Sequence, residues 1–188
     1  MLEWFGVVSG LLYLFLEIRQ KSSMWIVGFI SSFVYVFVFF QSKFYADALL
    51  NLYYVVISVY GFWIWKVNKS SIEKEISEQT YTTITSKMMV LLSMFTIVVF
   101  LFIYFVLIKY TDSPVPIGDS VVTTLSLVAT WMLTRKMIEQ WFIWMFVNGL
   151  SVYLFMYKDL KPTAFLYLCY GVLSVVGYLK WKRFKHID

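Results

Sequence analysis

The 188-residue chain is 61% hydrophobic and 21% aromatic, with only 14% charged residues, whereas an ordinary soluble domain has roughly 45–50% apolar and about 25% charged residues. That balance excludes a soluble globular protein, and the abundance of Phe, Tyr and Trp excludes disorder, which leaves a small integral membrane protein. One cysteine and one histidine cannot build a disulfide framework or a clustered metal site, and a net charge of +5, carried in short groups at the ends of apolar runs, reads as membrane topology rather than as a nucleic-acid surface.

A helix needs about 20 mainly apolar residues to cross a bilayer core of roughly 30 Å. Seven such runs occur, at 2–18, 24–40, 46–65, 88–108, 117–134, 140–157 and 163–180, so the expected class is all-α with seven transmembrane helices. The first has Glu3 where a signal peptide would be basic, and no small-residue cleavage site follows, so it is expected to be retained. The third carries Asp47, Asn51, Tyr54 and Ser58 three or four residues apart, on one helical face. Asp47, at the helix start, is favoured as a cap, whereas Asn51, Tyr54 and Ser58 lie deeper.

A mixed-charge segment at 66–87 is expected to be a cytoplasmic linker before the fourth span. The fifth span is interrupted by Asp119, Ser120, Thr123, Thr124, Ser126 and Thr130, and a helix that polar should face protein or a water-filled cavity. In the sixth, Trp141, Trp144 and Asn148 share one face. Indole walls with one directional amide suit a flat polar or cationic ring, although for Trp141 an interfacial belt or packing role is as good a reading. Asn148 sits deep in the span, where an amide needs a partner or a cavity. The seventh contributes Tyr170 and Ser174, together with Cys169, which reads as inert packing. Glu17, Glu139 and Arg135 stand at helix ends, solvated or paired, and no isolated mid-span carboxylate suggests proton coupling, so facilitated diffusion is expected.

Twelve Lys and Arg residues fall on one side of the seven spans and Lys43, Lys109, Lys158 and Lys161 on the other. This bias places the C-terminus in the cytoplasm and the N-terminus outside.

The chain also matches itself without gaps at an offset of 116 residues, 25–66 against 141–182, with identities that include Trp25/Trp141, Tyr54/Tyr170, Ser58/Ser174, Gly61/Gly177 and Trp65/Trp181. Hence residues 1–66 form a first three-helix repeat, 67–116 a linker and linker helix, and 117–188 a second three-helix repeat with a basic tail. Three spans per repeat is odd, so the single linker helix makes the copies parallel, a plan found in transporters with the substrate near the midplane between the halves. The copies are unequal, because Gly28 and Ser32 stand where the second has Trp144 and Asn148.

With the segment Phe44-Tyr45-Ala46-Asp47-Ala48-Leu49-Leu50-Asn51-Leu52-Tyr53-Tyr54, the closing Tyr60-Gly61-Phe62-Trp63-Ile64-Trp65 and the Trp141, Trp144, Asn148 pattern, nearly the whole chain resembles the PnuC family of bacterial vitamin transporters. The resemblance implies a fold similar to full-length SWEET sugar transporters and a central site contacted by Trp144, Asn148 and third-span residues. It also implies uptake of nicotinamide riboside across the inner membrane, with trapping by cytoplasmic phosphorylation. Nicotinamide riboside carriers of the family tend to have glutamine at Asn51, so relatives thought to carry thiamine or riboflavin stay open. The expected substrate-binding set is Trp141, Trp144, Asn148, Asn51, Tyr54, Ser58 and Tyr170.

The expected partners are a small vitamin and the lipid bilayer, with no cofactor, no nucleic acid and a homo-oligomer left open. A SWEET-type sugar carrier fits less well, because the Trp/Asn pair is confined to one half. A seven-helix receptor fits the span count but not the repeat, and its last helix has no mid-span lysine for retinal. An enzyme lacks a Ser/His pair and paired mid-span Asp residues.

Overall fold

The computed structural model describes residues 2–41, 45–72, 79–111 and 113–187. Seven helices follow in order: α1 (Leu2–Ile18), α2 (Ser23–Gln41), α3 (Tyr45–Ile72), α4 (Ser86–Tyr110), α5 (Pro116–Thr134), α6 (Gln140–Tyr157) and α7 (Lys161–Trp181). Two-residue strands, β1 (Thr80–Tyr81) and β2 (Lys185–His186), pair with each other. The all-helical expectation holds, with two differences of extent. Helix α3 continues past Trp65 to Ile72 through the start of the expected linker, and residues of the basic tail form a strand instead of a loose end. Lys43, Phe44, Lys74 and Asp188 lie outside the described residues, as does the side chain of Asp47.

Four stretches among the described residues are long and apolar enough to cross a membrane: Ala48–Lys66, Ser86–Tyr110, Pro116–Thr134 and Lys161–Trp181. Helix α6, with Gln140, Asn148 and two tryptophans in 18 residues, is not among them. Helix α4 is apolar along its length and has no buried residue, as expected of a surface whose solvent is hydrocarbon.

The chain divides into two units, Met1–Thr80 with Arg183–Lys185, and Tyr81–Lys182 with His186–Asp188. In the first, α1 packs on α2 and α2 on α3; in the second, α4 packs on α5, α5 on α6 and α6 on α7.

Both units are built around the same joint. Gln20 ends α1 with φ 49° and Lys136 ends α5 with φ 55°, each in the left-handed region. Gln20 N–H donates to Glu17 O and Lys21 N–H to Leu16 O; 116 residues on, Lys136 N–H donates to Leu133 O and Met137 N–H to Met132 O. These are paired Schellman closures, which satisfy the last carbonyls of a helix and reverse the chain. Beyond each turn a tryptophan is locked in place. Trp25 meets Trp65 edge-on at 5.6 Å and 90°, and Trp141 meets Trp181 at 5.4 Å and 86°. Each indole lies flat on a glycine: a Cβ added to Gly61 would fall 2.5 Å from Trp25 Cζ2, and one added to Gly177 would fall 2.5 Å from Trp141 Cζ3. The glycines are required for this approach of helix backbone to indole.

The polar fifth span does face protein. Ser120, Thr124, Ser126 and Thr130 are buried, and three of the helix's hydroxyls donate to carbonyls one turn back: Ser120 to Pro116 O, Thr130 to Ser126 O and Thr134 to Trp131 O. Asp119, in its first turn, is paired with Lys158 Nζ at 3.0 Å and accepts from Ser113 Oγ at 2.6 Å. This pair ties the start of α5 to the end of α6 at partial exposure. Lys158→Gln is therefore expected to cost about 1 kcal/mol, seen as a fall of about 3 °C in the thermal midpoint of purified protein.

Candidate functional site

The face of α6 that carries Trp141, Trp144 and Asn148 continues one turn to Ser151, and the structure gives these four residues different roles. Trp141 is fully buried between Gly177 and Trp181, and its repeat equivalent Trp25 is held in the same way in the first unit. Its ring is engaged in packing, and its Nε1–H, like that of Trp25, has no hydrogen-bond partner, so what sets Trp144 apart is its partial exposure. Trp144 is only partly buried, yet its Nε1–H is enclosed and has no protein partner. Asn148 is 5% exposed and donates from Nδ2 to Ser174 Oγ at 3.2 Å, while Ser174 Oγ donates to Tyr170 O at 2.8 Å.

Tyr170 is half-buried, its ring 5.7 Å from that of Tyr167, which in turn lies 5.0 Å from Phe155. Within the second unit, one amide, one indole N–H and a tyrosine pair thus occupy facing helices α6 and α7.

Two further hydroxyls of the second unit, one on α6 and one on α5, stand out from the others. Ser151 Oγ and Thr124 Oγ1 are buried without a hydrogen-bond partner, whereas Ser120, Thr130 and Ser174 all satisfy theirs on the preceding turn. An unmade hydrogen bond on a buried hydroxyl costs roughly 1–3 kcal/mol, so such atoms mark places where a polar ligand or water gains by arriving. Ser151 was legible as the next step of the Trp144, Asn148 spacing; Thr124 had been read only as an interruption of an apolar span.

In the first unit, Asn51 and Tyr54 are half-buried on α3, the Tyr54 ring lies 5.6 Å from Tyr53, and Ser58 is 4% exposed. Ser58 lies under Gly28, where a Cβ would come within 3.1 Å of its Oγ and 2.9 Å of the Tyr13 ring. Here the bulk that Trp144 supplies in the other copy is replaced by Tyr13 from α1. A separate groove between α1 and α2, lined by Phe5, Val8, Leu12, Val27 and Ile30, is apolar and suits an acyl chain better than a vitamin.

The helix-end charges are not all solvated. Glu139 Oε1 accepts from the Ile84 amide at 3.0 Å, which fits the paired reading, Arg135 lies 5.6 Å over the Trp131 ring, and Glu17, at 2% exposure, is buried rather than solvated. Among the described residues no cluster of His, Cys, Asp and Glu could hold a metal.

Residues 1–183 match the model of the nicotinamide mononucleotide transporter family. The chain belongs to that family. It is 24% identical over 201 residues to the nicotinamide riboside transporter PnuC of Escherichia coli (strain K12), covering 96% of this chain and 84% of that one. It is 28% identical over 185 residues to the PnuC of Neisseria mucosa, covering 95% and 70%. The crystal structure of the vitamin B3 transporter PnuC superposes with a TM-score of 0.73 at 26% identity, covering 97% of this chain and 80% of the other. The resemblance drawn from the third- and sixth-span motifs therefore holds, and a family of membrane transporters replaces the receptor and enzyme readings.

Proposed function

We propose that the protein takes up nicotinamide riboside by facilitated diffusion, with retention in the cell by phosphorylation of the product. The observation that carries the reading is a buried amide, Asn148, one helical turn from an indole, Trp144, whose N–H has no protein partner. A nicotinamide riboside molecule presents a cationic aromatic ring to indole, a carboxamide to the asparagine and hydroxyls to the buried Thr124 and Ser151. Relatives that match over most of this chain bear the name of that substrate.

The ligand-contacting residues in this reading are Trp144 and Asn148 on α6 and Tyr170 on α7, with Trp141 setting the position of α6; Asn51, Tyr54 and Ser58 of the first repeat belong to the same proposed set. No mid-span acidic residue without a partner is present among the described residues to carry a coupled proton, which favours a passive carrier. Apolar helical spans suit the inner membrane, and the bias of Lys and Arg favours an N-terminus outside and a C-terminus in the cytoplasm. The odd number of helices per repeat favours a parallel three-one-three arrangement similar to that of SWEET carriers.

Calorimetric titration of purified protein with nicotinamide riboside, thiamine and riboflavin tests the reading. Saturable binding is expected for nicotinamide riboside, with thiamine and riboflavin at least tenfold weaker. Tighter binding of thiamine or riboflavin would reassign the vitamin, and no binding of any of the three would remove the proposal.

A further inference from the structure

Resting on the nicotinamide riboside reading, we infer that Ser174 is a positioning residue that sets which end of the Asn148 amide faces the ligand, and so makes the carrier select a carboxamide over a carboxylate. The hydroxyl of Ser174 has one proton, and that proton is given to Tyr170 O at 2.8 Å. Towards Asn148 its oxygen can only accept, so Asn148 must turn its Nδ2 group to it, at 3.2 Å. Both side chains are buried, at 5% and 1% exposure, where reversing the amide would set an acceptor against an acceptor and leave a donor unsatisfied. The carbonyl end, Oδ1, is thereby left for the ligand as an acceptor.

An acceptor takes an N–H from a carboxamide and repels a carboxylate. In the first repeat the same serine is present as Ser58, but Ser32 stands at the position of Asn148, so only the second copy has an amide to steer. The chemistry predicts that nicotinamide riboside is bound in preference to its acid counterpart, nicotinic acid riboside, and that the preference depends on a hydroxyl which itself need not touch either ligand.

The test is calorimetric titration of both ribosides against the wild-type protein, Ser174→Ala and Ser174→Thr. In Ser174→Ala the amide is free to reverse, and the ratio of the two dissociation constants is expected to shrink about tenfold, the worth of one well-placed hydrogen bond. Ser174→Thr keeps the hydroxyl and should keep the ratio. An equal weakening of both ligands in Ser174→Ala would overturn the positioning role and leave the nicotinamide riboside reading standing. Failure of the wild-type protein to bind either riboside would end both.

A measurement that needs no Ser174 variant guards against misfolding. The chain has three asparagines, Asn51, Asn68 and Asn148. Selective 15N labelling therefore gives three side-chain amide signals, two of which are assigned with Asn51→Gln and Asn68→Asp. The Asn148 Nδ2 protons should exchange slowly with solvent in the absence of ligand; fast exchange would contradict a fixed amide.

Discussion

Trp144→Ala and Asn148→Ala are each expected to weaken nicotinamide riboside binding about a hundredfold or more, while the thermal transition of the purified protein moves little with Trp144→Ala and falls by no more than about 5 °C with Asn148→Ala. The indole offers a cationic ring a face worth up to about 2 kcal/mol when desolvated, plus its contact area, and together these exceed the roughly 2.8 kcal/mol that a hundredfold represents. Removing the Asn148 amide strips one directional contact from the ligand and leaves Ser174 Oγ without its donor in a buried setting.

Trp141→Ala should behave differently although it lies on the same helical face. Its ring is fully enclosed by Gly177 and Trp181, so truncation opens a cavity and costs about 3–5 kcal/mol of stability. Titration beside a thermal scan separates the two outcomes. Loss of fold with Trp144→Ala, or unaltered affinity with Asn148→Ala, would remove these residues from the site.

Much of the helical architecture is legible in the sequence, because membrane spans are long apolar runs and a duplicated chain repeats its rare residues. The match of Trp25, Gly61 and Trp65 to Trp141, Gly177 and Trp181 pointed to a shared structural need, and the structure supplies it: two edge-on indole pairs, each seated on a glycine. The joint one turn earlier was not readable. Gln20 and Lys136 have no chemistry in common, yet both adopt the same left-handed turn, since a Schellman closure is made by backbone groups and tolerates many side chains.

The extent of α3 was underestimated for a similar reason. A hydropathy run ends where charge begins, at Lys66, but hydrogen bonding along a helix continues through Lys and Asn to Ile72. Of the candidate site, spacing alone placed Trp141, Trp144 and Asn148 together, and it left out Ser151, the next residue on that face. It could not distinguish the structural Trp141 from the available Trp144, because that difference lies in what α7 presents to each: Gly177 and Trp181 close over one ring and not over the other.

Gly177→Ala is expected to be the most damaging single-methyl change in the second unit. The new Cβ would overlap the six-membered ring of Trp141, and real Cβ atoms do not approach carbon that closely, so either α7 must withdraw from α6 or the indole must leave its rotamer. Neither response is cheap. The ring is fully buried and stacked edge-on at 5.4 Å against Trp181, and close backbone approach over small residues is what holds helices together in lipid, where the hydrophobic effect gives little. Overpacking of this kind costs about 1–3 kcal/mol where side chains can yield, and the upper end is expected here.

Two comparisons isolate the cause. Gly149→Ala, on α6, meets nothing within 4 Å of the added carbon and should be neutral or stabilising by up to about 1 kcal/mol through helix propensity. The double change Gly177→Ala with Trp141→Phe trims the obstructing ring and should recover part of the loss. Thermal midpoints and the monodisperse fraction in detergent measure all three. If Gly177→Ala proved as benign as Gly149→Ala, the seating of indole on glycine would not be what joins α6 to α7, and its counterpart at Gly61 would lose its explanation as well.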